Sequence, residues 1–252
     1  VNRLDLKLSS DRPLLTCYLP VGDPLVPPEL ADIYAACRVD IIELGMPTAD
    51  PYLDGPDVAA SMARGLAAGD AVAALVAATA RVRRAIDGPA PICMCYGDLD
   101  MASVMATGAF DGIDGLLMLG LEHRPDEAKI KADMRLRGIR MIRLVGDDLS
   151  APDLAAASAG DGYLMLQAAS GVTGPRDTLD PANRSKITRL RAAALRHKVL
   201  LGFGISTGAQ AAEAIRFGAD GVVIGSMCVR KALEGPDALF SFLTDIRKSL
   251  DD

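Results

Sequence analysis

Residues 199–233, VLLGFGISTGAQAAEAIRFGADGVVIGSMCVRKAL, hold two short apolar runs, 199–202 and 221–224, each followed by a glycine-bearing turn. Between them, residues 207–217 carry small and apolar side chains at helical spacing, and a second helix-like segment follows at 227–233. Short apolar runs bounded by glycine turns read as buried strands, and the longer periodic segments as helices. Strands that are apolar on both faces and alternate with helices belong to a parallel sheet covered by helices.

The same unit recurs through the chain. Further strand-like runs lie at 14–18, 41–44, 91–96, 115–119, 140–145 and 162–166. Helix-like segments lie at 29–38, 58–68, 71–86, 101–107, 126–137, 151–159, 184–197 and 238–250. Eight strands favour closure into an α/β barrel, the (β/α)8 or TIM barrel, over an open sheet, and 252 residues suit that fold. No linker, charge block or low-complexity stretch marks a boundary, so residues 1–252 are expected to form a single TIM-barrel domain. The alanine-rich stretch 71–80 is a good helix former with small side chains, suited to close packing on a barrel.

Half of the residues are hydrophobic and 4% are aromatic. A net charge of −6 and a pI near 5.0 argue against nucleic acid or an anionic membrane as partner. No run approaches the roughly 18 apolar residues of a membrane span. The opening VNRLDLKLSSDRP lacks the basic-then-apolar order of a signal peptide, so a cytoplasmic protein is expected. Cys17, Cys37, Cys93, Cys95 and Cys228 lie mostly within apolar runs and read as buried small hydrophobes in a reducing compartment. Cys93-Met94-Cys95 lacks nearby co-ligands, so no metal site is expected. His123 and His197 are expected in exposed stretches, and Arg81, Arg83 and Arg84 at a solvated helix end.

In a barrel of this kind the chemistry sits at the carboxyl ends of the strands. After the second strand comes ELGMPTADPYLDGP, residues 43–56. Glu43 ends the strand, and Asp54 lies in the turn-rich loop that precedes a helix. A strand-end glutamate has no capping role and is costly to bury without a partner or a task. Asp50 and Asp57 fit turn or cap positions, and Asp54 taken alone would fit one too. Together Glu43 and Asp54 read as an acid/base pair. The turns after the seventh and eighth strands, Gly202-Phe203-Gly204-Ile205-Ser206 and Gly225-Ser226, stand where barrels often bind phosphate, with 226–233 as the short extra helix. Ser170-Gly171-Val172-Thr173-Gly174 is placed to close from the side. No lysine follows in Walker-A spacing, so a nucleotide P-loop is not supported.

With these residues in place, the chain resembles the α subunit of tryptophan synthase. The resemblance rests on YLPVGDP (Tyr18–Pro24), ELGMPTADPYLDGP (Glu43–Pro56), SGVTG (Ser170–Gly174), GFGIS (Gly202–Ser206) and Gly225-Ser226, in the family's order over nearly the whole chain. It implies a lyase that cleaves indole-3-glycerol phosphate, or a close analogue, to indole and glyceraldehyde 3-phosphate. Glu43 and Asp54 would be its catalytic carboxylates. Gly174, Gly204, Gly225 and Ser226 would bind the phosphate, with Ser206 in the same turn system. Tyr18, Met94, Tyr96 and Leu119 would surround the indole, and Thr173 would meet Asp54 on loop closure. No cofactor is required, and no lysine at a predicted strand end suits a Schiff base.

Three departures stand out. Met165 replaces a tyrosine that the family usually has facing the catalytic glutamate, which is expected to remove a hydroxyl from the site. Asp98 stands for the usual Asn, and Gly120-Leu121-Glu122 for an Asp-Val-Pro segment. Those two places lie where the family meets a β-type subunit, so they weaken the case for a standard partner. Two alternatives follow. One is a weakly catalytic or non-catalytic relative that binds the phosphate ligand and regulates a β-type partner. The other is a different phosphate-binding barrel, such as an isomerase or prenyl-type transferase, which explains the glycines but not the ELG…DGP loop.

Overall fold

A computed structural model describes all residues except 147, 159, 170, 175–176 and 194–195, and the side chains of 152, 153, 156 and 158. Ser170 of the glycine-rich loop therefore lies outside the described residues. Among those described, nine strands run in chain order: β1 (Leu14–Pro20), β2 (Ile41–Gly45), β3 (Ala90–Tyr96), β4 (Gly115–Leu119), β5 (Arg140–Met141), β6 (Arg143–Val145), β7 (Leu164–Gln167), β8 (Val199–Gly202) and β9 (Gly221–Ile224). All pairings are parallel, in the order β5-β4-β3-β2-β1-β9-β8-β7-β6. β5 and β6 are halves of one expected strand, broken at Ile142. There the Ile142 N–H donates to Leu116 on one side, and the Arg143 N–H donates to Tyr163 on the other. The sheet closes into a barrel through this split strand.

The helices are α1 (Arg3–Leu8), α2 (Ala31–Ala36), α3 (Pro56–Ala68), α4 (Ala71–Arg83), α5 (Met101–Ala106), α6 (Glu127–Leu136), α7 (Ala151–Ser158), α8 (Ala182–Ala192), α9 (Gly208–Arg216), α10 (Ser226–Glu234) and α11 (Pro236–Asp251). Two apolar layers result. Alternate strand residues such as Leu15, Cys17, Ile42, Leu44, Cys93 and Leu201 pack outward under the helices. Leu14, Tyr18, Ile41, Ile92, Met94, Leu117, Met165 and Leu200 fill the barrel interior. This is the period-2 alternation of a strand buried on both faces.

α1 is absent from the sequence reading. It has six residues, an Asn2 cap bonded to the Asp5 N–H at 3.2 Å, and one buried side chain, Leu4. Leu4 packs within the interior layer against Gly115, where a Cβ would come within 2.9 Å of Leu4 Cδ2. The expected helix 184–197 is shorter, Ala182–Ala192, and the expected strand 162–166 shifts to Leu164–Gln167. Two of the arginines expected to be solvated are paired. Arg81 grips Asp32, and Arg83 donates to the Gly112 carbonyl at 2.8 Å and to Asp114 at 2.6 Å. His197 is half-buried, with Nδ1 3.0 Å from the Gly162 carbonyl. All five cysteines are buried and unpaired. Among the described residues, no single helix is long and apolar enough to cross a membrane.

Candidate active site

Because β2 alternates, Glu43 points into the barrel between the outward residues Ile42 and Leu44. Its neighbour in register on β1 is Tyr18. The Glu43 side chain is buried, and Tyr163 Oη donates to its Oε1 at 2.8 Å. Burial pushes the carboxyl up to about 7; the Tyr163 bond opposes this, and the charge of Asp54 adds to it. The expected loss of a hydroxyl at Met165 is thus corrected. Tyr163 stands two residues earlier on the same face and supplies one. Replacing Tyr163 with Phe removes a bond that favours the carboxylate. The Glu43 titration, followed by infrared difference spectroscopy of the carboxyl, should rise from about 7 by roughly one unit. An unmoved titration would mean that the bond is absent in solution.

Asp54 is carried by residues 46–55, a loop anchored at its start by the Met46 N–H donating to Met94 at 2.8 Å. Thr48 Oγ1 donates to Asp98 at 2.6 Å, tying this loop to the one after β3. Tyr96 Oη donates to Asp54 Oδ2 at 2.7 Å, and Thr173 Oγ1 to Oδ1 at 3.2 Å. Burial raises the Asp54 pKa, and these two hydroxyls hold the rise down. Tyr96 is therefore a holder of Asp54, with its ring edge-on to Tyr52 at 5.0 Å, and does not line the mostly apolar cavity described below.

Thr173 clasps the loop. Its Oγ1 accepts from the Gly55 N–H at 2.8 Å, and its own N–H donates to Leu53 at 2.9 Å. Gly55 is required by this clasp, since a Cβ there would lie 1.9 Å from the Thr173 carbonyl oxygen. Gly55→Ala should open it. The Thr173 amide is expected to exchange with solvent roughly tenfold faster or more, while β2 and β3 amides keep their protection. Unchanged exchange at Thr173 would show that the clasp tolerates the methyl group.

Two neighbouring cavities lie at this end of the barrel. The first is mostly apolar, and is lined by Glu43, Asp54, Leu53, Val58, Leu117 and Leu144 together with the expected Tyr18, Met94, Leu119 and Met165. Its free volume of about 50 Å³ is far below the ~300–1,000 Å³ of ligand sites, so the clasped loops must move to admit a ligand. The second is lined by Thr173, Gly174, Phe203, Gly204, Ile205, Gly225, Ser226 and Met227. Thr173, Phe203 and Gly225 border both. Gly225 caps α10 without a side chain, which leaves the first N–H groups of that helix to the cavity. Ser226 Oγ donates to Thr173 Oγ1 at 3.4 Å. Gly174 and Gly204 have φ of 156° and 105°, and Phe203, at 70°, holds a left-handed conformation uncommon for a bulky side chain.

Ser206 stands apart. Both its N–H and its hydroxyl donate to Gln210 Oε1, at 2.8 and 2.9 Å, beside the capping box that starts α9. It is not among the residues lining the second cavity. Gly120-Leu121-Glu122 forms the start of a tight turn, with Gly120 left-handed and Leu121 buried. The arrangement as a whole is a buried chamber with two raised-pKa carboxyls, sharing a border with a cavity at a helix terminus fit for an anion. It suits proton transfer on an apolar ligand that carries a negatively charged tail.

Known proteins resemble this chain over nearly its whole length. The family model described as Tryptophan synthase alpha chain matches residues 5–246. The tryptophan synthase alpha chain of Xanthomonas campestris pv. campestris is 34% identical over 261 residues, covering 96% of this chain and 93% of that one. That of Xanthomonas oryzae pv. oryzae is 32% identical, covering 100% and 99%. A Mycobacterium tuberculosis tryptophan synthase structure superposes with a TM-score of 0.83 at 30% identity, covering 98% and 96%.

Proposed function

Because the chain belongs to the tryptophan synthase alpha chain family, we propose that it is a carbon–carbon lyase of tryptophan biosynthesis. It cleaves indole-3-glycerol phosphate to indole and glyceraldehyde 3-phosphate. The observation that carries this reading is the shared border of the two cavities: one chamber holds Glu43 and Asp54, and its neighbour ends at the α10 terminus. A ring in the first and a phosphate in the second leave a three-carbon chain to span Thr173, Phe203 and Gly225.

The chemistry follows from the side chains. Glu43, protonated up to about pH 7, donates a proton to indole C3. The ring nitrogen takes on positive charge, and its N–H faces Asp54, whose ionised carboxylate stabilises that charge. Glu43, now a carboxylate, removes the proton of the chain hydroxyl on the carbon bonded to C3. That carbon becomes an aldehyde as its bond to C3 breaks, and the bond electrons restore the indole ring. Glu43 ends protonated, so the cycle needs no outside acid or base. Gly174, Gly204, Gly225 and Ser226 hold the phosphate. Tyr18, Met94, Leu119 and Met165 enclose the ring, and Thr173 closes the loop by fixing Asp54.

The partner in this reading is a β-type subunit that consumes the indole, meeting the mouth where Tyr52 and Val172 are exposed. Asp98 is engaged with Thr48, and Glu122 is exposed, so that contact would differ in detail from the family's. The setting is the cytoplasm, supported by five unpaired buried thiols, and residues 1–252 act as a single barrel domain. The test is to mix the protein with indole-3-glycerol phosphate, with and without a tryptophan synthase β subunit, and quantify both products. Equimolar indole and glyceraldehyde 3-phosphate are expected. Tight binding with no products under either condition would instead support the regulatory alternative.

A further inference from the structure

A third cavity, of about 480 Å³, lies at a gap in the barrel wall. The ladder between β4 and β5 ends at Leu116 and Met141, and β6 pairs with β7. Residues 117–119 and 143–145 therefore part at the carboxyl end, where Met118, Leu119, Arg143 and Leu144 form the two lips of the cavity. Its volume falls within the ~300–1,000 Å³ of small-molecule sites. Leu144 packs with the interior layer, so its strand neighbour Arg143 points outward, toward α6. Arg143 lines this cavity and neither of the other two.

Arg143 is only 8% exposed. Among the described residues its Nε is buried without a partner, and its guanidinium has a single ion pair, a long one of 3.7 Å to Glu127 on α6. Glu127 is already gripped by Lys131 one turn further on, and Lys131 is the main cause of its lowered pKa, ahead of Arg143. Two cations thus share one carboxylate. A buried guanidinium left in this way lacks the anion that would offset its desolvation. Opposite it the lining is apolar: Leu53, Leu119 and Leu144 border both this cavity and the chamber of Glu43.

We propose that this cavity binds a small monocarboxylate with a flat apolar body, its carboxylate on Arg143 and its body on Leu53, Leu119 and Leu144. A guanidinium matches a carboxylate with two parallel hydrogen bonds. The slot between two strand edges favours a flat body. A dianion is disfavoured, since Glu122 and Glu127 also line the cavity. The proposal is independent of the lyase reading, which gives Arg143 no role.

Calorimetry on the full chain compares 2-naphthoate, its neutral methyl ester and inorganic phosphate. The naphthoate is expected to bind about tenfold tighter than the ester, and phosphate more weakly than either. Arg143→Gln should weaken the naphthoate by about tenfold and leave the ester unchanged. Glu127→Gln removes the competing carboxylate and should tighten the naphthoate severalfold, again without effect on the ester. That second variant carries the test if loss of Arg143 impairs folding. Absence of naphthoate binding would overturn the proposal, and so would binding indifferent to both substitutions. Equal changes for acid and ester would mean a packing effect only. Phosphate binding as tightly as the naphthoate would mean an anion site with no use for the apolar wall. Each of these last two results also overturns the proposal.

Discussion

Glu43→Gln should reduce kcat for indole release by about 10³-fold, within the ~10²–10⁴ range for removal of a general acid–base group. The amide fills the same volume and can still accept from Tyr163, so the fold and ligand affinity should persist. What disappears is the proton that C3 needs and the base that the chain hydroxyl needs. The wild-type pH profile follows from the same group. Donation to C3 requires protonated Glu43, so kcat/KM should fall above about pH 7, tenfold per unit. The acid limb should report Asp54, whose pKa burial raises above its ordinary value. A Glu43→Gln enzyme within tenfold of wild type would remove Glu43 from the chemistry.

The second large effect is on stability. Glu43 titrates near 4.5 in an unfolded chain and near 7 in the folded one. Its folded-state pKa is raised, so its contribution is fully present below about pH 4.5 and is lost as pH rises through 7. Above that point the buried carboxylate burdens the fold by an order-of-magnitude 3 kcal/mol, since a pKa unit is ~1.4 kcal/mol. Glu43→Gln carries no such charge. Urea denaturation should show the variant close to wild type at pH 5 and more stable by roughly 3 kcal/mol at pH 8.5. A difference independent of pH would show that the Glu43 carboxyl is not raised by burial. The two effects belong together, as a site tuned for proton transfer is expected to cost stability.

How much of this was legible in the sequence depends on range. Glycine-punctuated apolar runs such as 199–202 and 221–224 gave the parallel barrel, because strand and helix periods are local properties. α1 escaped because six residues with one buried leucine carry no readable period. The break at Ile142 escaped because the run 140–145 is continuous in composition and its halves differ only in their partners. Tyr163 was within reach: it is two residues from Met165, so period 2 alone places both on one face. Ser206 was assigned by its glycine neighbours, yet Thr207 and Gln210 form a readable capping box that claims the Gln210 carbonyl next to it. The clasp of Gly55 by Thr173 joins residues 118 apart, and no spacing rule reports such a contact; the family resemblance implied only that Thr173 meets Asp54.

The most direct test is a crystal structure of Glu43→Gln protein with indole-3-glycerol phosphate bound. The phosphate should sit against the N–H groups that open α10, near Gly204 and Ser226, with the ring N–H on Asp54 and C3 beside residue 43. A phosphate bound elsewhere, or a ring whose nitrogen faces away from Asp54, would contradict the account.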